Sequence, residues 1–213
     1  MSDLKPENGF IFRITHIANV PWILDHGLHC QSSPEQAPDY VEIGNPELIQ
    51  RRARRVVPIP PGGVLSDYVP FYFTPHSPML LNIKTGHHGI RRRPMSEIVI
   101  MVSALPKLAR QGIPFVFTDR HACLQTASFF SDLAQLDRIA WNLLQTRDFK
   151  KDVYDPGKFE RYQAEALVYR HLPVTALLGV VCHGEAQAAR LRAEVENRRQ
   201  NLQIEVKPNW YFR

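Results

Sequence analysis

The sequence predicts an α+β fold: a mainly antiparallel sheet surrounded by short helices, in a single domain over residues 1–213. Three observations predict it. Strand-like and helix-like stretches follow one another without a regular βαβ alternation, which disfavours a doubly wound parallel sheet. No GxGxxG follows a strand, and no GxxxxGK followed by Ser or Thr occurs, so neither common phosphate-loop fold is indicated. A length of 213 residues fits one large domain better than two, and a 44% hydrophobic content is enough to build its core.

Each element follows from local chemistry. FIFRITH, residues 10–16, alternates apolar and polar side chains as a half-buried strand does. ANVPWILDHG follows as a short helix, with Asn19 as its cap, Pro21 in its first turn and Gly27 at its end. NPELIQRRARR repeats the pattern, with Asn45 as cap and Pro46 at the first helical position. PIPPGGVLSD, residues 58–67, is a loop. YVPFYFT reads as a strand that places Phe71 and Phe73 on one face and Tyr72 on the other. Pro70 removes a ladder donor, so this strand lies at an edge or beside something irregular. SPMLLNIKTG reads as a short helix or turn, followed by the basic loop HHGIRRRP. EIVIMVSAL, residues 97–105, is the clearest buried strand, and PFVFTD, residues 114–119, is another. Residues 119–150 are helical or irregular. DPGKFERYQAEALVYRHLPV begins with a turn and ends in an alternating strand over residues 164–169. LLGVVCHG is a strand, EAQAARLRAEVENRRQ an amphipathic helix, and LQIEVKPNWYFR a strand with an aromatic tail.

Composition narrows the function. No run of about 18 apolar residues occurs, so no membrane span is expected, and the polar, acidic MSDLKPENGF does not read as a secretory signal. Cys30, Cys123 and Cys182 are widely spaced, which reads as reduced thiols in a cytoplasmic protein, with no zinc site and no other metal expected. Net charge is +5, and the excess is clustered. Arg51, Arg52, Arg54 and Arg55 form one group, and Arg91, Arg92 and Arg93 a second, neither with an acid among its arginines. These suit phosphate as well as they suit a solvated face. Arg190, Arg192, Arg198 and Arg199 stand among the acids Glu185, Glu194 and Glu196, which favours the solvated face.

Three features carry candidate chemistry. His16 and Asn19 stand at the junction of the first strand and first helix, where a polar ligand can be held; a capping Asn and a partly buried His are the plainer account. The aromatic phrase SDYVPFYFTPHSPML, residues 66–80, offers a stacking face for a nucleobase beside arginine, or simply core. Glu165 lies between Ala164 and Ala166 in an apolar strand, where an acid costs free energy unless it is partnered or used; an edge-strand Glu facing solvent is the alternative. His87 and His88 are adjacent and do not easily share a metal, and no nucleophile elbow is visible.

In this order these features resemble the DarT family, the toxin half of the DarT–DarG toxin–antitoxin pair. RITHIANVPWILDHGLHC, IGNPELIQRRA, VPIPPGGVLSDYVPFYFTPHSPML, EIVIMVS, PFVFTDRHA and KFERYQAEALV carry the resemblance across most of the chain. It implies an ADP-ribosyltransferase fold that consumes NAD⁺ and transfers ADP-ribose to thymidine bases of single-stranded DNA in a short sequence context, blocking replication. It also implies a partner antitoxin with a macrodomain that removes the modification. Glu165, in QAE, matches the family's catalytic glutamate, and Arg52 the arginine of its helix, with Arg51 immediately beside it. His16 and Asn19 match the junction that lines the NAD⁺ pocket, with Gly27, Leu28, Tyr72, Met79 and His121 as further pocket positions. Arg51, Arg55, Arg91, Arg92, Arg93 and Arg161 are the expected DNA contacts. The family departs from the simplest His-Tyr-Glu triad, so neither Tyr68 nor Tyr72 is assigned that role.

The chemistry implied is the breaking of the nicotinamide–ribose bond, with a carboxylate stabilising positive charge as it forms on the sugar. Arg52 is a poor base, because a guanidinium stays protonated. Two other readings fit the same residues: an enzyme of this fold acting on RNA or a terminal phosphate, and a nucleic-acid-binding module without catalysis. A nuclease fits less well, because the acids are scattered.

Overall fold

In the computed structural model, which describes residues 4–212, β1 (Phe10–His16) runs into α1 (Val20–His26). Pro21 stands in the first turn of α1, and Gly27 ends it at φ 81°, a left-handed value that favours glycine. A Cβ there would meet the His171 ring at 2.4 Å and the Leu172 carbonyl at 2.6 Å. Asn19 occupies the N-cap position but makes no capping bond, contrary to expectation. Its amide donates to Thr15 Oγ1 and to the Val41 carbonyl, and its own carbonyl accepts from the Val41 N–H. Buried at 3% exposure, Asn19 finds more partners in the loop at 41 than at the end of a short helix.

The next elements are β2 (Leu28–His29) and α2 (Pro46–Arg52). Asn45 caps α2 through the Leu48 N–H, with Pro46 at the first position, as the sequence predicts. A loop leads to β3 (Tyr68–Tyr72), and α3 (Pro78–Thr85) follows, capped by Ser77. β4 (Ile98–Ala104), α4 (Leu105–Arg110), β5 (Phe115–Thr118) and β6 (Phe129–Phe130) come next. Then come α5 (Trp141–Thr146), α6 (Lys158–Tyr162), β7 (Glu165–Tyr169) and β8 (His171–Leu172). The chain closes with β9 (Gly179–Cys182), α7 (Glu185–Asn197) and β10 (Gln203–Val206).

The main sheet has the order β10-β9-β4-β1-β3-β7-β5-β6, and a small second sheet pairs β2 with β8. Only β9 and β10 run parallel; the other pairs are antiparallel. The sheet has a seam. β1 pairs with β4 from Phe10 to His16, and β3 with β7 from Tyr68 to Tyr72, but β1 meets β3 only at Phe12↔Tyr72. Pro70 faces this seam without an N–H, and its carbonyl accepts from Arg13 Nη1 at 3.0 Å. β3 is therefore an interior strand beside a break, and the irregularity that Pro70 predicts is the gap in the ladder.

β7 does not alternate between core and solvent as expected: Glu165, Ala166, Leu167 and Val168 are all buried. Both its faces are covered. Ala166 and Val168 enter the main core, while Leu167 packs with Val57, Leu65, Tyr68, Val116 and Ala122 in a smaller cluster. Strand pleating puts Glu165 on the Leu167 face, so the solvent-facing edge carboxylate is ruled out. Phe71 and Phe73 are core, as predicted. On α7, Ala188, Leu191 and Val195 are buried, while Arg198 pairs with Asp25 and Glu194. Among the described residues of the tail, Tyr211 is buried and its hydroxyl donates to the Ile98 and Val181 carbonyls; Arg213 lies outside the described residues.

His76 sits in the turn that launches α3, packed edge-on against Phe212 at 5.5 Å. Burial, with Arg147 adding to it, pushes its pKa down to about 4. The unfolded chain takes up this proton near pH 6.5. Stability is thus unaffected above that value and falls as pH drops from about 6.5 to 4, by up to about 3 kcal/mol. Urea unfolding at pH 7 and pH 4.5 measures this, and His76→Phe is expected to flatten that part of the profile.

Candidate active site

Pleating brings Tyr68, Pro70 and Tyr72 of β3 onto the same face as Glu165 and Leu167 of β7, because these residues lie opposite one another in the ladder. Above this face stands the end of α2. Arg52 Nη1 donates to Glu165 Oε2 at 2.7 Å, and both side chains are deeply buried, at 12% and 5% exposure. The other oxygen, Oε1, accepts the Ala122 N–H at 2.9 Å. Burial works against ionisation of Glu165, but Arg52, His121 and the Ala122 N–H outweigh it and hold the carboxyl below the usual glutamate range. Burial likewise opposes the charge on Arg52, and Glu165 more than restores it. The pair is an ion pair across the working range of pH.

His121 lies 3.6 Å from Glu165 Oε1, too far for a hydrogen bond. Its Nδ1 accepts the Cys123 N–H, so that nitrogen carries no proton. Burial lowers its pKa, with Glu165 opposing and Arg52 reinforcing. Tyr72 is raised above the usual tyrosine range by burial and by Glu165, which keeps its hydroxyl protonated.

Glu165 and Arg52 line a cavity of about 520 Å³ that opens at the β1–β3 seam. Gly27, Leu28, Tyr72 and Met79 line it too, so the structure brings together six of the predicted site residues. His16 and Asn19 do not line it. The His16 ring is held by Glu97 Oε2 at 3.3 Å and by the Ala18 N–H, and Asn19 braces the loop at 41, next to the lining residues Tyr40 and Glu42. Arg51 is exposed beside the cavity-facing Arg52, which separates the two neighbours. Arg55 is tied to the turn at 122–125, and Arg161 pairs with Asp155 at 2.5 Å. Arg93 pairs with Glu97 at 3.1 Å, while Arg91 and Arg92 are exposed.

Sequence reasoning missed Arg13, Trp22, His29 and the Ala122 N–H. Arg13 stands at an outward position of an alternating strand, the one signal that pointed to it. Arg13 Nε and Arg52 Nη2 are buried without a hydrogen-bond partner, so the cavity wall presents two guanidinium groups with unused donors. Such forks suit a pyrophosphate, and Trp22, Tyr40 and Tyr72 add flat faces for rings. Among the described residues no cluster of His, Cys, Asp and Glu is arranged to hold a metal, and no helix is long and apolar enough to cross a membrane.

Residues 12–212 match the family model described as ssDNA thymidine ADP-ribosyltransferase, DarT. A DNA ADP-ribosyl transferase of Escherichia coli O127:H6 is 49% identical over 211 residues, covering 99% of this chain and 97% of that protein. The structure of Thermus sp. 2.9 DarT in complex with ADP-ribosylated ssDNA superposes with a TM-score of 0.88 at 34% identity, covering 97% of this chain and 98% of that one. Its complex with NAD⁺ gives 0.83 at 33% identity, covering 97% and 99%.

Proposed function

This chain belongs to the DarT family of single-stranded-DNA thymidine ADP-ribosyltransferases, and from that premise we propose how its own residues carry out the reaction. NAD⁺ is the donor substrate, and nicotinamide is released when ADP-ribose is transferred to a base of single-stranded DNA. The observation that carries the reading is the buried Glu165 carboxylate, paired with Arg52 at the wall of a ligand-sized cavity. Arg13 and Arg52 hold the pyrophosphate. Glu165 faces the nicotinamide ribose, positions its hydroxyls and stabilises the positive charge that grows on the sugar as the bond to nicotinamide breaks. Arg52 keeps that carboxylate ionised and does not act as a base. On thymine the ring N3 sheds its proton to Glu165, directly or through a water. Gly27, Leu28, Tyr72 and Met79 shape the pocket, while His16 and Asn19 support its wall from behind. The protein acts in the cytoplasm as a toxin, countered by a macrodomain antitoxin that removes the modification.

The test is mass spectrometry after incubation with NAD⁺. A thymine-containing single DNA strand gains one ADP-ribose; the same strand without thymine, a matched RNA and the Glu165→Ala control gain nothing. Gain on RNA or on a terminal phosphate instead favours the rival enzyme, and no release of nicotinamide at all favours a binding module.

The exposed arginines contribute to affinity without specifying sequence. Arg91 and Arg92 are available to phosphate, while Arg93 is held by Glu97. Replacing Arg91 and Arg92 together with alanine is expected to reduce the slope of log Kd against log salt by about 1.4, at about 0.7 per phosphate on a single strand. An unchanged slope removes this loop from the DNA path.

A further inference from the structure

Both oxygens of Glu165 are held, and both holds trace back to the segment from Arg52 to Arg55. Arg52 grips Oε2 directly. The grip on Oε1 comes from the Ala122 N–H, which belongs to the turn between β5 and β6. Within the turn the bonds are short-range, such as Leu124 N–H to the His121 carbonyl at 3.0 Å, and its start is tied to α6 by the His121 N–H on the Glu160 carbonyl at 3.1 Å. Arg55 supplies the long-range bonds to the carbonyls and side chain of residues 122–125. Its Nε donates to the Ala122 carbonyl at 3.4 Å, its Nη2 to the Leu124 carbonyl at 3.0 Å and its Nη1 to Gln125 Oε1 at 2.9 Å. The guanidinium also lies 5.7 Å from the centre of the Phe129 ring. The Arg55 backbone is anchored in turn, because its carbonyl accepts the Leu65 N–H at 2.9 Å.

We infer that Arg55 is a positioning residue: by fixing the turn at 122–125 it aims the Ala122 N–H at Glu165 Oε1 and so sets the plane of the catalytic carboxylate. A carboxylate held by Arg52 alone can turn about its terminal bond. A second donor on the other oxygen fixes it, and reaction rates are sensitive to such misplacement. All three nitrogens of Arg55 already donate to the turn, which departs from the DNA-contact role that its place in a basic cluster suggests. The planar fork is what the site requires, so lysine cannot replace it. The inference rests on Glu165 being the catalytic carboxylate of an ADP-ribosyl transfer.

The experiment compares Arg55→Lys and Arg55→Met with the wild type in three readouts. The first is the backbone amide of Ala122, followed by its nitrogen chemical shift and hydrogen exchange. The second is the split between kcat and the KM for NAD⁺. The third is the salt slope of single-strand binding. Expected are a shifted and faster-exchanging Ala122 amide, kcat lowered roughly 10- to 100-fold in both variants, and an unchanged KM and salt slope. Circular dichroism confirms that both variants are folded. An Ala122 amide indifferent to Arg55→Met, or wild-type kcat in Arg55→Lys, overturns the inference. A fall in the salt slope with kcat preserved also overturns it, in favour of a phosphate contact. If the wild type transfers nothing to thymine strands while the Ala122 amide still responds to Arg55→Met, the transferase reading has failed and the link from Arg55 to Glu165 stands.

Discussion

Replacing Glu165 with glutamine is expected to lower kcat for ADP-ribosyl transfer by about 100- to 1000-fold, the usual cost of removing one preorganised electrostatic stabiliser. The KM for NAD⁺ changes little, because the charge is needed as the sugar becomes positive and not before. The substitution also has a structural cost. Wild-type Glu165 accepts from Arg52 on one oxygen and from the Ala122 N–H on the other. Glutamine has one accepting oxygen, so its amide must point a donor at one of these donors. Breaking a buried ion pair from one side costs about 3 kcal/mol, which is less than the roughly 5–15 kcal/mol that holds a domain folded. The variant is therefore expected to fold with a lower urea midpoint. Transfer above a tenth of the wild-type rate, measured on folded protein, would sink the role assigned to this carboxylate.

Replacing Arg52 with alanine is expected to do comparable damage by another route. It leaves Glu165 buried with its main counter-charge gone, at a cost of about 3–5 kcal/mol. It also reverses the sign of a pH dependence. In the wild type the folded-state pKa of Glu165 is depressed, burial being outweighed chiefly by Arg52. Its contribution to stability is present above the ordinary glutamate pKa and is lost as pH falls into the acid range. Without Arg52, burial dominates and the folded-state pKa rises above the unfolded one, so this contribution is largest in acid and is lost as pH rises. The acid limb of the pH–rate profile moves to higher pH for the same reason. Urea midpoints and transfer rates between pH 4 and pH 8 measure both effects. Arg51→Ala is the contrast: an exposed neighbour, expected to leave both profiles in place.

Glu165 and Arg52 were not equally legible in the sequence. Glu165 announced itself, because an acid in an apolar strand is conspicuous without any partner in view. That Arg52 and not Arg51 meets it came only from the resemblance, since 113 residues separate the pair and spacing carries no signal over that distance. The Ala122 N–H was invisible, being a main-chain group that any residue supplies. Asn45 was read correctly and Asn19 was not, although both precede a proline-containing first turn. The difference lies in the loop at 41, which offers Asn19 an amide and a carbonyl that no local pattern foretells. α6 was read as a turn because DPGKFERYQ holds only a short helical stretch, at the limit where turn and helix look alike. β7 was given the wrong period because the cluster around Val57 and Leu65 that covers its second face comes from far away in the chain.

β1 and β3 share one ladder pair. Arg13 spans that slit from one side to Pro70 on the other, and Arg52 and Glu165 stand just across it. The strand edges that face the slit are consequently short of ladder partners, and each is carried by the half-sheet behind it. A side chain on the slit can be exchanged without breaking a main-chain ladder, whereas Arg52 and Glu165 cannot be given up one at a time.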